Sequence, residues 1–155
     1  MDLLEFLVLG LTWAWFLGTG LVLTKWDIRE RRLPNRLVAL ALVGGLIGFS
    51  ILSVIEQSWT SLARGAMGAG LCVLVFSLIH ILGGMGMGDV KYSAVIGLYL
   101  GWLSWESIYW GVFIAFALAA CAVTVSAVRR KPQRTIAFGP FMTLGTVVTV
   151  AIFSW

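Results

Sequence analysis

Charged side chains are scarce in this sequence. Only 12% of the 155 residues are Asp, Glu, Lys or Arg, whereas 60% are hydrophobic and the mean hydropathy is +0.98. This composition excludes a soluble domain, which needs a more polar surface, and indicates a polytopic membrane protein. At about 20 residues per apolar span, the length allows one bundle of about six helices with loops too short to fold alone. We therefore predict a single transmembrane domain over residues 1–155.

Residues that bind metals or form disulfides are also rare. The two cysteines, Cys72 and Cys121, lie within apolar runs and form no CxxC pair, and His80 is the only histidine. Zinc sites and disulfide frameworks need several such residues at short spacing, so we predict neither, and we expect no metal and no cofactor. We interpret His80 as a packed or hydrogen-bonded residue rather than a ligand or a proton shuttle.

The chain contains six apolar segments, and its basic residues are concentrated in alternate connections between them. The predicted spans are residues 3–24, 37–55, 62–82, 90–104, 107–128 and 137–155. The connections 25–36, 83–91 and 129–134 hold ten of the eleven Lys and Arg residues, all except Arg64. Cytoplasmic loops carry such an excess of positive charge. We predict an all-α bundle of six transmembrane helices in a cell membrane, with the N-terminus outside and these three loops in the cytoplasm.

A glycine-rich stretch, residues 83–91 (GGMGMGDVK), places an acidic residue between two apolar segments. An ionisable residue at membrane depth is a candidate functional residue, and a glycine run lets the backbone leave the helix beside it. Asp89 at the start of the fourth span and Asp27 at the end of the first lie at the same predicted membrane edge. Two carboxylates in one site do not both ionise easily, so one can act as a base while the other holds a proton. That is the chemistry of aspartic peptide hydrolysis.

Each aspartate also has a purely structural explanation. Asp27 lies among basic residues and could form a solvated ion pair, and Asp89 could cap the fourth helix and balance Lys91. Two other functional classes stay open at this point. One is a small ion- or proton-coupled transporter whose broken fourth helix holds Asp89, which gives Asp27 no role. The other is a non-catalytic membrane assembly factor of a pilus or secretion system.

Three motifs, in order along essentially the whole chain, resemble those of the type IV prepilin leader peptidase family. Residues 27–35 (DIRERRLPN) resemble its motif of an aspartate followed six residues later by Leu or Ile and then Pro-Asn. Residues 86–91 (GMGDVK) resemble its GxGDxK motif, and residues 138–141 (FGPF) resemble its C-terminal signature. The three together are specific, whereas a lone GxGD is shared with presenilin-type intramembrane proteases.

The resemblance implies a six-helix membrane aspartic protease of a prokaryote in which Asp27 and Asp89 are the catalytic pair. It implies as substrate the short basic leader of a type IV prepilin, pseudopilin, Flp/Tad pilin or archaellin precursor, cut at the cytoplasmic border of its hydrophobic helix. It implies no cofactor, and we expect membrane lipid but no nucleic acid as a further partner. The motif residues expected to support the site are Pro34, Asn35, Gly86, Gly88, Lys91, Gly139 and Pro140.

The sequence departs from the family pattern at two points. Larger bacterial members carry an N-terminal region with paired CxxC motifs and also N-methylate the trimmed pilin, whereas this sequence has no such pair. It therefore resembles a minimal, peptidase-only member. Ala137 stands where the family often has proline. A same-fold alternative is a signal-peptide-peptidase-like protease, which cuts within the lipid-embedded helix instead of at its border.

Overall fold

The computed structural model describes residues 2–83, 85–128 and 137–153. Within these ranges the chain forms helices joined by short connections, with no strand, so the prediction of an all-α fold with six helices is confirmed. The helices are α1 (Leu3–Glu30), α2 (Asn35–Ile55), α3 (Thr60–Ile81), α4 (Met87–Leu103), α5 (Trp105–Val128) and α6 (Gly139–Phe153). The predicted basic loop 129–134 lies outside the described residues.

Four of these helices, α1, α2, α3 and α5, are long and apolar enough to cross a membrane. The other two are shorter, with 17 residues in α4 and 15 in α6. At 1.5 Å per residue they span about 26 and 23 Å, less than the roughly 30 Å of a hydrocarbon core. The protein is thus a multi-pass membrane protein, and the crossing of the membrane by α4 and α6 stays a prediction.

Helix α1 is longer than the first predicted span. It continues to Glu30 instead of stopping at residue 24, because charged side chains do not break a helix and the first proline is Pro34. The helix ends where Arg31 adopts a left-handed conformation, with φ 52° and ψ 34°, and donates its N–H to the carbonyl of Asp27. Asp27 therefore lies in the last turn of α1 and not in a loop.

Helix α4 also begins before its predicted span, at Met87 instead of residue 90, so Gly88 and Asp89 are helical. The turn before it contains Gly83, whose φ of +80° is strained for residues with a side chain. At the other end, residues 105–106, which lie between the fourth and fifth predicted spans, belong to α5. The break is confined to Ser104, which is extended and whose Oγ accepts the Ser107 N–H at 3.0 Å, so that it caps the start of α5.

Helix α4 is the buried centre of the bundle, in contact with α2, α3, α5 and α6. Two of its glycines face α3. A side chain on Gly97 would overlap the backbone of Gly68, and one on Gly101 would overlap that of Gly65. The two helices therefore approach with backbone against backbone. Helices α1 and α2 also approach closely, because side chains of α1 fill the space beside Gly44 and Gly48.

The one basic residue outside the predicted cytoplasmic loops has a structural role. Arg64 on α3 donates to the carbonyls of Gly101, Trp102 and Leu103 at 2.7, 2.6 and 2.9 Å. The last carbonyls of a helix have no partner within the helix, and a cation near them is favourable. Arg64 thus closes the C-terminal end of the short α4.

Candidate active site

Asp27 is held by the first residue of α6. Its side chain is only 5% exposed, and its Oδ2 accepts the backbone N–H of Gly139 at 2.9 Å. The first N–H groups of a helix have no partner within the helix, and the helix dipole favours a negative charge near them. The carboxylate of Asp27 is therefore buried against the start of another helix and is not exposed to solvent.

Gly139 leaves no space for a side chain at this contact. A Cβ on Gly139 would lie 2.8 Å from Oδ2 and 3.4 Å from the carboxyl carbon of Asp27. The first distance is shorter than real Cβ contacts allow, so the carboxylate would have to move. A glycine at the start of α6 is thus what lets the backbone N–H reach Asp27.

Asp89 is the third residue of α4 and is half-buried. The backbone N–H of Gly86, the residue just before the helix, is a hydrogen-bond partner of its carboxylate. This is half of a capping box, so the interpretation of Asp89 as a residue that caps α4 agrees with its contact. Asp89 also interacts electrostatically with Asp27. The fold therefore brings together two carboxylates that are separated in the sequence by two complete helices, α2 and α3.

The two carboxylates share a cleft of about 310 Å³. Its lining comes from the end of α1, the connection to α2 and the start of α4. The described lining residues are Asp27, Arg31, Arg32, Leu33, Asn35, Gly86, Met87, Gly88, Asp89 and Lys91. Four of the residues predicted to support the catalytic pair line this cleft, namely Asn35, Gly86, Gly88 and Lys91. The predicted supporting residue Pro34 is not among the lining residues.

These motif residues fix the local backbone in different ways. Pro34 is extended, with φ −64° and ψ 122°, and Asn35 is the first residue of α2. Lys91 donates from Nζ to Oδ1 of Asn35 at 2.9 Å, which joins α4 to α2 at the cleft. A Cβ on Gly88 would lie 3.1 Å from the side chain of Leu33, so this glycine lets the start of α4 pack closely on the connection before α2.

The start of α6 is anchored by an aromatic contact. Phe138 is 9% exposed, and its ring centroid lies 5.0 Å from that of Phe116 and 6.2 Å from that of Phe76. Pro140 follows in the first turn of α6, where proline costs no hydrogen bond. Together with the hydrogen bond from Gly139, these contacts hold the third motif next to Asp27.

His80 closes the connection between α3 and α4. Its Nδ1 donates to the carbonyl of Met85 at 2.7 Å, so the interpretation as a hydrogen-bonded histidine is confirmed. Among the residues that the structure describes, no three His, Cys, Asp or Glu side chains are grouped so that they could hold a metal ion.

A buried polar layer beneath the carboxylates was not predicted from the sequence. It consists of Thr24 on α1, Tyr92 on α4 and Thr143 on α6. The hydroxyls of Thr24 and Tyr92 each lie within hydrogen-bonding distance of the Thr143 hydroxyl. Helical spacing contained a signal: Tyr92 follows Asp89 by three residues, and Thr143 follows Gly139 by four, which places each on the same face as its partner.

Three relatives share most of the chain. Leader peptidase HopD of Salmonella typhimurium is 31% identical over 136 residues, which are 84% of this chain and 85% of that protein. Leader peptidase HopD of Escherichia coli is 30% identical over 129 residues, 79% of this chain and 81% of that protein. The prepilin leader peptidase/N-methyltransferase of Escherichia coli K12 is 26% identical over 138 residues, 87% of this chain but 60% of that protein. No solved structure matches the chain at a significant level.

A family model covers most of the sequence as well. The model of the type IV leader peptidase family matches residues 6–128, a range that contains both Asp27 and Asp89. Together with the relatives, this match shows that the chain belongs to the type IV leader peptidase family.

Proposed function

We propose that this protein is a membrane aspartic endopeptidase that removes the leader of type IV prepilin-like precursors, with Asp27 and Asp89 as its catalytic pair. The observation that carries the proposal is the cleft in which the two carboxylates interact, each with a backbone N–H of a glycine as partner. The relatives' names support the substrate class, since they are a prepilin leader peptidase/N-methyltransferase and two leader peptidases.

The pair can hydrolyse a peptide bond with one water molecule. The ionised carboxylate takes a proton from the water, whose oxygen attacks the scissile carbonyl carbon, while the protonated carboxyl group donates its proton to the carbonyl oxygen. When the tetrahedral intermediate collapses, the C–N bond breaks and the leaving amine takes the proton that came from the water. The hydroxyl of the intermediate returns its proton to the other carboxylate, so the pair ends as it began.

The surrounding residues have supporting roles in this proposal. Gly86 and Gly139 supply the N–H groups that orient the two carboxylates, and Pro140 continues the helix start that presents Gly139. Pro34 and Gly88 let the backbones around the cleft approach one another, and Lys91 holds Asn35 at its edge. The glycine-rich connection before α4 gives an extended substrate a route to the pair.

The site faces the cytoplasm in this proposal. Five of the eleven basic residues lie within residues 25–36, which begin at the end of α1 and line part of the cleft. Such charge is typical of the cytoplasmic side of a prokaryotic cell membrane. Cleavage then takes place at the border of the precursor's hydrophobic helix, where a basic leader of a pilin, pseudopilin, Flp/Tad pilin or archaellin precursor emerges from the lipid.

The other functional classes explain fewer of the contacts. A transporter with an ion site at Asp89 gives no role to Asp27, although Asp27 is buried and bonded to Gly139. A non-catalytic assembly factor, whose aspartates only pair with arginines, does not need two carboxylates in one cleft. Burying two such groups together is costly, so we assign the arrangement to catalysis.

The test is leader cleavage of a co-expressed prepilin-like precursor by the wild-type protein, Asp27→Asn and Asp89→Asn, with membrane insertion of each variant confirmed. We expect no detectable product from either variant, because an amide can neither take the proton from water nor share one with its neighbour. Asp2→Asn is the control, since Asp2 is exposed at the other end of α1, and it should cut like wild type.

Two outcomes would contradict the proposal. Normal cleavage by either Asn variant in the membrane would exclude a two-aspartate mechanism. A cut within the hydrophobic helix of the precursor, instead of at its border, would indicate a signal-peptide-peptidase-like enzyme. Mass spectrometry of the product locates the cut.

A further inference from the structure

The three hydroxyls beneath the carboxylates connect the helices that carry the site. The hydroxyl of Tyr92 lies 2.9 Å from Oγ1 of Thr143, and the hydroxyl of Thr24 lies 3.4 Å from the same atom. Tyr92 is fully buried and Thr143 is 6% exposed. Gly20 lets α1 come close to this layer, because a Cβ there would lie 3.0 Å from the methyl group of Thr143 and 3.3 Å from the Tyr92 hydroxyl.

The direction of these hydrogen bonds follows from their partners. Thr143 donates its proton to the carbonyl of Gly139 at 3.1 Å, and that carbonyl can only accept. The Tyr92 hydroxyl must therefore be the donor to Oγ1 of Thr143. A buried tyrosine hydroxyl needs such a partner, since leaving it unpaired in an apolar interior is unfavourable.

Gly139 links this layer to the catalytic pair. Its carbonyl accepts the proton of Thr143, and its N–H donates to Asp27. At the other end, Tyr92 lies one helical turn after Asp89 on α4. A continuous chain of contacts thus runs from the helix of Asp89, through Tyr92, Thr143 and Gly139, to the carboxylate of Asp27.

We propose that Tyr92 and Thr143 are positioning residues that set the distance between the two catalytic carboxylates. The hydrogen bond between them holds α4 against the first turn of α6, and that turn holds Asp27. Neither side chain is among the described residues that line the cleft, so neither contacts the substrate. This inference rests on the proposed peptidase function of Asp27 and Asp89.

The test measures kcat and KM of leader cleavage by purified protein for wild type, Tyr92→Phe, Thr143→Val and Thr143→Ser. Tyr92→Phe and Thr143→Val keep the packing but remove a hydroxyl. We expect each to lower kcat roughly tenfold or more, since a small displacement of a catalytic group is costly, and to leave KM within about twofold. Thr143→Ser keeps the hydroxyl and should restore most of the wild-type kcat.

The double variant Tyr92→Phe/Thr143→Val adds a second readout. Because both residues act through the same hydrogen bond, its kcat should be close to that of Thr143→Val alone. Thr146→Val is the matched control. Thr146 is equally buried on α6, but its hydroxyl donates only to the carbonyl of Met142 in its own helix, at 3.0 Å, so its removal should leave kcat unchanged.

The outcomes separate this inference from the proposed function. If Tyr92→Phe and Thr143→Val both cut at the wild-type rate while Asp27→Asn and Asp89→Asn are inactive, the positioning role is wrong and the catalytic pair stands. An equal loss in Thr146→Val, or additive losses in the double variant, would also overturn it. If the wild-type protein cuts no prepilin-like precursor, the proposed function fails and the inference fails with it.

Discussion

The two carboxylates of the cleft have opposite surroundings. Asp27 belongs to the last turn of a 28-residue helix and is 5% exposed. Its carboxylate lies so close to Gly139, the first residue of α6, that a side chain on that residue would overlap it. Asp89 is half-buried in the first turn of a short helix, directly after a connection that contains the left-handed Gly83. One carboxylate is thus fixed between two helices, whereas the other lies at the edge of a loop.

This difference suggests how a membrane protease combines precise geometry with access for a substrate. We infer that Asp27, which is buried against Gly139, is the more tightly held carboxylate, and that the half-buried Asp89 is the less tightly held one. We therefore expect chemically equal changes to cost more activity at Asp27 than at Asp89.

The largest difference should come from lengthening each carboxylate by one methylene group. We expect Asp27→Glu to lose roughly 100-fold or more in leader cleavage, because the buried carboxylate already contacts Gly139 and a longer side chain would displace it. Asp89→Glu should lose only roughly tenfold, since the side chain of Asp89 is only half-buried. Rates of product formation on immunoblots check this, and a greater loss in Asp89→Glu would reverse the comparison.

The two glycines that hold the carboxylates provide a matched pair. A Cβ on Gly139 would lie 2.8 Å from Oδ2 of Asp27, whereas one on Gly86 would lie 3.4 Å from Oδ2 of Asp89, which is an ordinary contact. We expect Gly139→Ala to lower cleavage roughly 10- to 100-fold and Gly86→Ala to lower it at most about threefold. Equal losses in the two variants would show that the two sides are equally rigid.

The packing of α4 on α3 supports the Asp89 side from a distance. A methyl group on Gly97 would overlap the backbone of Gly68 and Ala69, so Gly97→Ala should destabilise the protein by about 1–3 kcal/mol. Gly70→Ala is the control, because nothing lies within 4 Å of that position. Thermal unfolding in detergent measures both, and an unchanged transition in Gly97→Ala would show that the helices can separate freely.

The smallest effect should come from the connection itself. His80→Ala removes the hydrogen bond to the carbonyl of Met85, and we expect a two- to fivefold loss of cleavage, in keeping with one half-buried hydrogen bond. His80→Asn places an amide N–H near the position of Nδ1 and should stay within about twofold of wild type. If both variants lose the same activity, the hydrogen bond has no part in holding the loop.

The sequence was a good guide to the helices and to the acidic residues. The apolar segments predicted six helices, although α2 begins at Asn35, two residues before the predicted span. The ends were less predictable, since α1 runs through a charged segment to Glu30. Charge marks where a helix leaves the lipid, and the hydrogen bonds of the helix continue until a backbone break such as the one at Arg31.

The candidate site was predictable only in part, for a related reason. Asp27 and Asp89 stand out because carboxylates are rare in so apolar a chain, and their motifs resemble those of a known family. Tyr92 and Thr143 do not stand out, since single hydroxyls are common in membrane helices and each could bond to its own helix. Arg64 was also missed as a cap, because its partners are backbone carbonyls on another helix.

Hydropathy and residue type are local properties, so the sequence alone shows an apolar, all-helical membrane protein with two aspartates in its motifs. The packing of the helices adds three contacts: Gly139 holds Asp27, α4 packs on α3 with backbone against backbone, and Tyr92 reaches Thr143. These contacts join residues far apart in the chain, and their distances depend on how α1, α3, α4 and α6 pack together.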